Sequence, residues 1–356
     1  MALQQALKDF NRINSNKFNI NIDWLQLHVE TSFDYCEFEN ATLKIHLTGR
    51  SKVFRSIYTI IYKKTGQVVA TYATDAVEQI MKKRHGVLKI ENAFLYYYSI
   101  KIQQFVKRLL LKLNMRFIGI TRMDISYDFH YFLNRRLPEN FIKAFLRNDI
   151  VKLHATKFRC SGVHTRENSF DWITFGSKTS TVNYKLYNKT KEQLNESKKP
   201  YIWESWKHAG LNVKEDIWRI EFSINSNTNI LSDEFGQFKF HSLESLSLHI
   251  YSNLFVTLFN HYFLFKKNDR TKSRKDRMKD VALLEFPKPL KGINFKKVNS
   301  LYKDSDRATK IFVNKLNTLA EELRGKDDDF IGDAKSMISK LINIYQLEEW
   351  ANRKMI

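Results

Sequence analysis

The sequence predicts an α+β fold: an antiparallel-rich β-sheet with flanking helices, followed by a mainly helical C-terminal region. Three observations predict it. Short segments across residues 1–230 alternate apolar and polar side chains with a period of two. Between them lie stretches whose apolar residues recur at helical spacing. Beyond that point the texture turns helical, with no further strand-like run. The expected organisation is a sheet domain over 1–230, a helix and basic linker over 231–285, and a helical region over 286–356.

The elements follow in order. Ile20 to Glu30 alternates like a strand, with Leu25, Leu27 and Val29 on one face, and Thr42 to Thr48 repeats the pattern. Tyr58 to Tyr62 and Val68 to Tyr72 flank a Gly-containing connection that suits a β-hairpin. From Phe94 to Met115 the period changes, and Phe94, Tyr98, Ile100, Phe105, Leu109 and Leu113 are expected on one face of a long helix. Phe117 to Phe129 returns to strand character. Pro138 suits a first helical turn and leads Phe141, Phe145 and Leu146. Trp172 to Phe175, Thr181 to Tyr187 and Ile217 to Ile224 are three more strands. Helical patterns recur at 308–323 and 334–350.

Composition bounds the function. With 43% apolar and 14% aromatic residues, four prolines and eleven glycines, the 356-residue chain is neither disordered nor collagen-like. Cys36 and Cys160 are too few for a disulfide framework or a four-ligand zinc site, which points to a reducing, intracellular compartment. Lys and Arg number 59 against 38 Asp and Glu, a formal charge of +21. Such an excess marks a polyanionic partner, nucleic acid more often than membrane. The N-terminal stretch has no apolar run of signal-peptide length. Ser245 to Phe265 carries no Asp, Glu, Lys or Arg, but eight of its 21 residues are Ser, Thr, Asn or His, so it reads as a buried helix rather than a span. Residues 266–279 hold eight basic and two acidic residues, and read as a linker or an exposed basic helix.

Three strands carry polar stripes. In Thr121 to Phe129, period two puts Arg122, Asp124, Ser126 and Asp128 on one face and Met123, Ile125, Tyr127 and Phe129 on the other. Two carboxylates on one face repel unless a cation or Arg lies between them, and adjacent same-face positions are about 7 Å apart. In Val182 to Tyr187, Asn183, Lys185 and Tyr187 share the polar face, with Lys189 just beyond. In Trp218 to Ile224, Arg219, Glu221 and Ser223 do the same. Alternation alone is equally the pattern of a sheet with one wet face and ordinary cross-strand ion pairs.

Arg122-Met-Asp-Ile-Ser-Tyr-Asp128, Thr174-Phe-Gly-Ser-Lys-Thr-Ser180, Tyr184-Lys-Leu-Tyr-Asn-Lys189 and Trp218-Arg-Ile-Glu221 come in an order that resembles the Rep_trans family. These are replication initiation proteins of rolling-circle plasmids, some filamentous phages and related mobile elements. Asp23-Trp-Leu resembles the family's first strand, so the resemblance spans residues 20–225. It implies a nicking and strand-transfer enzyme with Tyr187 as nucleophile, Lys185 and Lys189 beside it, and Asp124 and Glu221 as ligands of Mg²⁺ or Mn²⁺. Asp128 is a weaker metal candidate that can instead orient Arg122 or Lys185. Arg122, Lys178 and Arg219 are the expected DNA contacts. Lys185 departs from the pattern, where Arg is common, and offers a point charge in place of a fork.

The implied partners are origin DNA, a host helicase and DNA polymerase, and a second copy in a homodimer, in the cytoplasm of a bacterial host. No G-x-x-x-x-G-K-[ST] run is present for unwinding. No H-x-H occurs among the ten histidines, leaving His28 and His130 as candidate additional ligands. Trp203 and Trp206 suit stacking on bases or, more simply, burial. Two other readings stay open: a relaxase-like or transposition nickase, and a non-catalytic DNA-binding regulator.

Overall fold

Two long strands run through the middle of the molecule: β1 (Asn19–Thr31) and β7 (Met115–Phe129), paired antiparallel. The architecture is that of a computed structural model describing residues 17–31, 38–77, 84–153, 157–160, 170–176, 182–225 and 241–286. On one side of the central pair the chain runs out and returns through β2 (Phe38–Glu39), β3 (Leu43–Gly49), β4 (Phe54–Tyr62), β5 (Val68–Ala76) and β6 (His85–Ile90), which closes against β1. On the other side β8 (Ile150–Lys152) stands apart, and β9 (Phe158–Cys160), β10 (Trp172–Phe175), β11 (Val182–Asn188) and β12 (Trp218–Asn225) step back inward until β12 closes against β7. The result is an 11-stranded sheet in the order β2-β3-β4-β5-β6-β1-β7-β12-β11-β10-β9. Every pairing in it is antiparallel. The α+β expectation holds.

The apolar face carries the main core. Leu25, Leu27, Met123, Ile125, Leu186, Ile220 and Phe222 are buried there. Three helices cover it. α2 (Ile102–Lys112) inserts Phe105, Val106 and Leu109; α3 (Pro138–Leu146) inserts Phe141 and Ile142; α6 (Leu248–Tyr262) stacks Phe255 on Tyr127 with ring centroids 5.1 Å apart. Burying a side chain of this size contributes about 1.5–3 kcal/mol, so the face holds much of the fold's stability.

Three expectations are corrected. The helix expected from Phe94 to Met115 is broken: α1 (Asn92–Tyr97) ends, a 3-10 turn spans Ser99–Lys101, and α2 follows. Phe94, Tyr98 and Phe105 stack across the break, which lets Tyr96 join a second, smaller cluster while α2 serves the main core. Strand β6 carries too weak an alternation to be read from sequence. Its Gly86 lies against β5, where a Cβ would stand 2.6 Å from the Ala73 carbonyl oxygen. The boundary at residue 230 is no boundary in the core, because Tyr251, Leu254, Phe255, Phe265, Leu283 and Phe286 all belong to the core under the sheet.

Nor is 266–279 a linker or a helix. It leaves β13 (Phe265–Lys267), which pairs with β8, makes one 3-10 turn at Lys275–Arg277, and is closed by a bridge between Lys266 and Asp280. The described residues belong to the first of two units, 1–298 and 299–356. The helical patterns at 308–323 and 334–350 lie outside the described residues. No helix among the described residues is long and apolar enough to cross a membrane.

Candidate active site

The opposite face of the sheet is polar, and the register lays its side chains out in rows. One row reads Trp172, Tyr187, Arg219, Asp128, Asn19 from β10 to β1. The next reads Arg159, Thr174, Lys185, Glu221, Ser126, Asn21 from β9 to β1. A third brings Asn183, Ser223, Asp124 and Trp24 together. The expected stripes on β7, β11 and β12 therefore meet on one surface. Tyr184 points the other way, into the rings of Phe175, Phe222 and Phe263.

A bulge completes the surface. The β1–β7 register slips by one residue between Ile22, opposite Ile125, and Trp24, opposite Asp124, so Asp23 is the inserted residue. Its carboxylate accepts from Arg219 Nη1 at 2.7 Å and from the Tyr96 hydroxyl at 2.6 Å. Burial works to raise the Asp23 pKa, but Arg219, Lys189 and the Tyr96 bond overcome it and hold the group well below the usual carboxylate range.

Around Tyr187 the groups are close. Its hydroxyl donates to Glu221 Oε2 at 2.7 Å, and Lys185 Nζ lies 2.9 Å from Glu221 Oε1. The Lys185 and Lys189 ammonium groups stand 5.0 and 5.5 Å from the centre of the phenol ring. Burial, then the Glu221 charge, push the Tyr187 pKa well above its ordinary value, so the resting phenol is protonated. For Lys185 the Glu221 carboxylate outweighs burial and raises the pKa, so the amine is charged. Lys189, the first residue of the short helix α4 (Lys189–Glu192), is buried against Glu192 at 2.6 Å; burial and Arg219 lower its pKa.

Asp124 is buried, and Arg122 grips it with two bonds of 3.0 and 2.7 Å. Burial, with the neighbouring Glu221 charge, still pushes its pKa up to about 6 against the pull of Arg122. The Arg122 guanidinium also lies 4.8 Å from the Trp24 ring centre, with Lys89 4.2 Å from the same ring. Two carboxylates whose charges oppose one another are a donor set for a hard divalent ion. Mg²⁺ commonly takes one or two protein carboxylates and completes its shell with water and substrate phosphate. Among the described residues no group of three or more His, Cys, Asp or Glu side chains is placed to hold a metal.

Two expected site residues are reassigned. Arg219, expected on DNA, is fully buried and spends its guanidinium inside the protein. Nε and Nη2 bond the two Asp128 oxygens at 2.6 and 2.8 Å, and Nη2 also reaches the Tyr96 oxygen at 2.8 Å. Asp128, expected near a metal, is likewise fully buried, and its second oxygen accepts from Trp206 Nε1 at 2.7 Å. A fully buried carboxylate whose two oxygens already accept three N–H bonds is turned into the protein and not toward a metal at the surface. Tyr96, Ile202, Trp206, Leu211 and Ile217 form the cluster that covers them, with Trp206 on α5 (Pro200–His208). Trp206 is thus a core residue, and Trp203 packs on it.

The histidines are also held elsewhere. His28 Nε2 meets His85 Nδ1 at 2.8 Å, while His130 bonds the Asp216 carbonyl and accepts from the Asn212 N–H. Lys178 and Cys36 lie outside the described residues; Cys160 is a free, half-buried thiol. Asp23, Tyr96 and Trp172 are the site neighbours that sequence reasoning passed over. A signal for the first existed: the apolar phase moves from even positions, Ile20 and Ile22, to odd ones, Leu25 and Leu27, which is the mark of a one-residue bulge.

No family model and no curated protein sequence matches this chain. Among solved structures, one described as the "Structure of Rolling Circle Replication Initiator Protein from Geobacillus stearothermophilus" is similar at a TM-score of 0.44 and 12% identity, over 74% of this chain and 92% of that one.

Proposed function

We propose that this chain nicks one DNA strand at an origin and starts rolling-circle replication, with Tyr187 as the nucleophile. The observation that carries this reading is the Tyr187 hydroxyl held 2.7 Å from a Glu221 oxygen, with Lys185 on the other oxygen. A phenol with a reference pKa near 10 attacks a phosphodiester only if something takes its proton. Glu221 Oε2 is within proton-transfer distance. As the Tyr187 oxygen bonds to phosphorus, the phenol proton passes to Glu221, the bond from phosphorus to the 3′ oxygen breaks, and that oxygen takes up a proton from water. The products are a 5′-phosphotyrosyl ester and a free 3′-OH for a polymerase to extend. The ester retains the energy of the broken bond, so rejoining needs no nucleotide triphosphate.

Lys185 and Lys189 hold positive charge beside the ring as the oxygen loses its proton. Asp124 and Glu221 would hold the Mg²⁺ or Mn²⁺ ion. When bound, such an ion supplies Lewis-acid polarisation of a non-bridging phosphate oxygen. Arg122 orients Asp124 by its two-bond grip. Origin DNA, a homodimeric state, a host helicase and a bacterial cytoplasmic setting belong to the same proposal and rest on the motif resemblance.

The test is a nicking assay on supercoiled and single-stranded origin DNA with Mg²⁺ or Mn²⁺ and an EDTA control. Metal-dependent nicking with protein on the 5′ end, lost in Tyr187→Phe and kept in Tyr184→Phe, is the expected result. Loss only in Tyr184→Phe would move the nucleophile to the other face. Tight binding without cleavage by any variant would leave a DNA-binding regulator.

A further inference from the structure

The edge of the sheet next to Tyr187 carries an exposed indole and an exposed guanidinium that the chemistry above does not use. Trp172 on β10 is the direct cross-strand partner of Tyr187, and it is 40% exposed, where Trp206 and Trp218 are 0% and 3% exposed. Directly opposed residues on neighbouring antiparallel strands hold their Cβ atoms about 4.5–5.5 Å apart, so the indole stands beside the phenol. Arg159 on β9, the end strand of the sheet, opposes Thr174, which opposes Lys185. Arg159 is exposed and makes no ion pair among the described residues. An apolar ring kept at the surface costs the free protein favourable burial. Here it lies one residue from a phenol poised for attack, with cations on the adjoining row.

We propose that Trp172 and Arg159 form a subsite for one unpaired nucleotide flanking the scissile phosphate: the base stacks on the Trp172 indole and its phosphate meets the Arg159 guanidinium. This rests on reading Tyr187 as the nucleophile. The subsite takes single-stranded DNA, because a base paired in a duplex keeps both faces inside its own stack. It supplies affinity and position without reading sequence, since every base offers a π-face. It also gives the attacked phosphate a register: the strand lies with one base pinned beside Tyr187 and the next phosphate over Lys185.

Binding of a fluorescein-labelled oligothymidine to the full chain carrying Tyr187→Phe tests it, with an abasic deoxyribose-phosphate strand of equal length and a duplex as comparisons. Adding Trp172→Ala should weaken oligothymidine binding by about tenfold and leave abasic-strand binding unchanged, while Trp172→Phe retains most of the affinity. Arg159→Gln should weaken both strands and reduce the slope of log affinity against log salt by about 0.7, one phosphate's share. The proposal is overturned if Trp172→Ala binds oligothymidine like its parent, loses as much on the abasic strand, or changes the oligomeric state instead. Failure of the Tyr187 reading is seen separately, as nicking that survives Tyr187→Phe.

Discussion

The polar face of the sheet has two ends built from the same kind of sequence and put to opposite uses. At one end Arg219, Asp128, Asp23, Tyr96 and Trp206 bond one another beneath a small apolar cluster. At the other, Arg122 with Asp124 and Lys185 with Glu221 are pairs whose cations reach solvent, at 39% and 43% side-chain exposure. The charges alternate along β7 and β12 in the same way at both ends. What differs is cover. A covered carboxylate must have its charge paired and both oxygens bonded, and Asp128 does. A carboxylate at the open end can have its charge only partly balanced, which is the state that leaves capacity for a metal or a proton.

The sharpest way to break that comparison is Arg219→Met. It strands the buried Asp128 and the half-buried Asp23 and should cost about 3–5 kcal/mol of stability by denaturant titration. Lys185→Ala at the open end leaves the buried Glu221 still bonded to Tyr187 and should cost less, about 1–3 kcal/mol, while removing most of the proposed nicking. A cost for Lys185→Ala equal to that of Arg219→Met would erase the distinction.

Next come the two aspartates of β7, which should move in opposite directions. Asp124 has its pKa pushed up to about 6, above the unfolded value near 3.9. Its ionisation therefore opposes folding as pH rises through that interval. Asp124→Asn should stabilise the metal-free protein at pH 8 by on the order of 1–3 kcal/mol, partly offset by a lost bond from Arg122. Asp128→Asn should destabilise it, because Arg219 loses its charged partner. Thermal melts of the two variants side by side decide the matter. The upward shift in melting temperature produced by Mg²⁺ or Mn²⁺ should fade as pH falls through about 6 and be absent in Asp124→Asn.

Trp206→Phe sharpens the covered end alone. It removes the Nε1 bond to a charged oxygen and should cost about 1.5–3 kcal/mol, with nicking per folded molecule unchanged. The smallest effect concerns His28, whose pKa is lowered by burial and by His85. A lowered histidine contributes stability that is present above its ordinary value near 6.5 and lost as pH falls below it. His28→Asn should flatten the decline in melting temperature between pH 7 and 5, and an unaltered decline would remove His28 as its source.

The stripes were legible because period two is local: the faces of Thr121 to Phe129, Val182 to Tyr187 and Trp218 to Ile224 follow from residue order alone. Which part of a stripe is open was not. Tyr96 and Trp206 reach Arg219 and Asp128 from more than a dozen residues away, and nothing in the alternation of β7 or β12 records their approach. The break after Tyr97 escaped for a similar reason, since Phe94, Tyr98 and Phe105 keep helical spacing across it and the turn is stabilised by their mutual stacking. The opposite facing of Tyr184 and Tyr187 was readable because they differ by an odd number of residues, which separates them onto opposite faces.

The central pairing of β1 with β7 has a consequence for the order of events during synthesis. Asp23 leaves the ribosome about a hundred residues before Asp124 and nearly two hundred before Arg219, and contacts over such separations form late. Until β12 has emerged, no nascent chain has Glu221 to bond Tyr187 or Arg219 to neutralise Asp23. The polar surface is therefore completed only after β12 has emerged, and a chain truncated before residue 218 carries Tyr187 without the Arg219 and Glu221 that meet it.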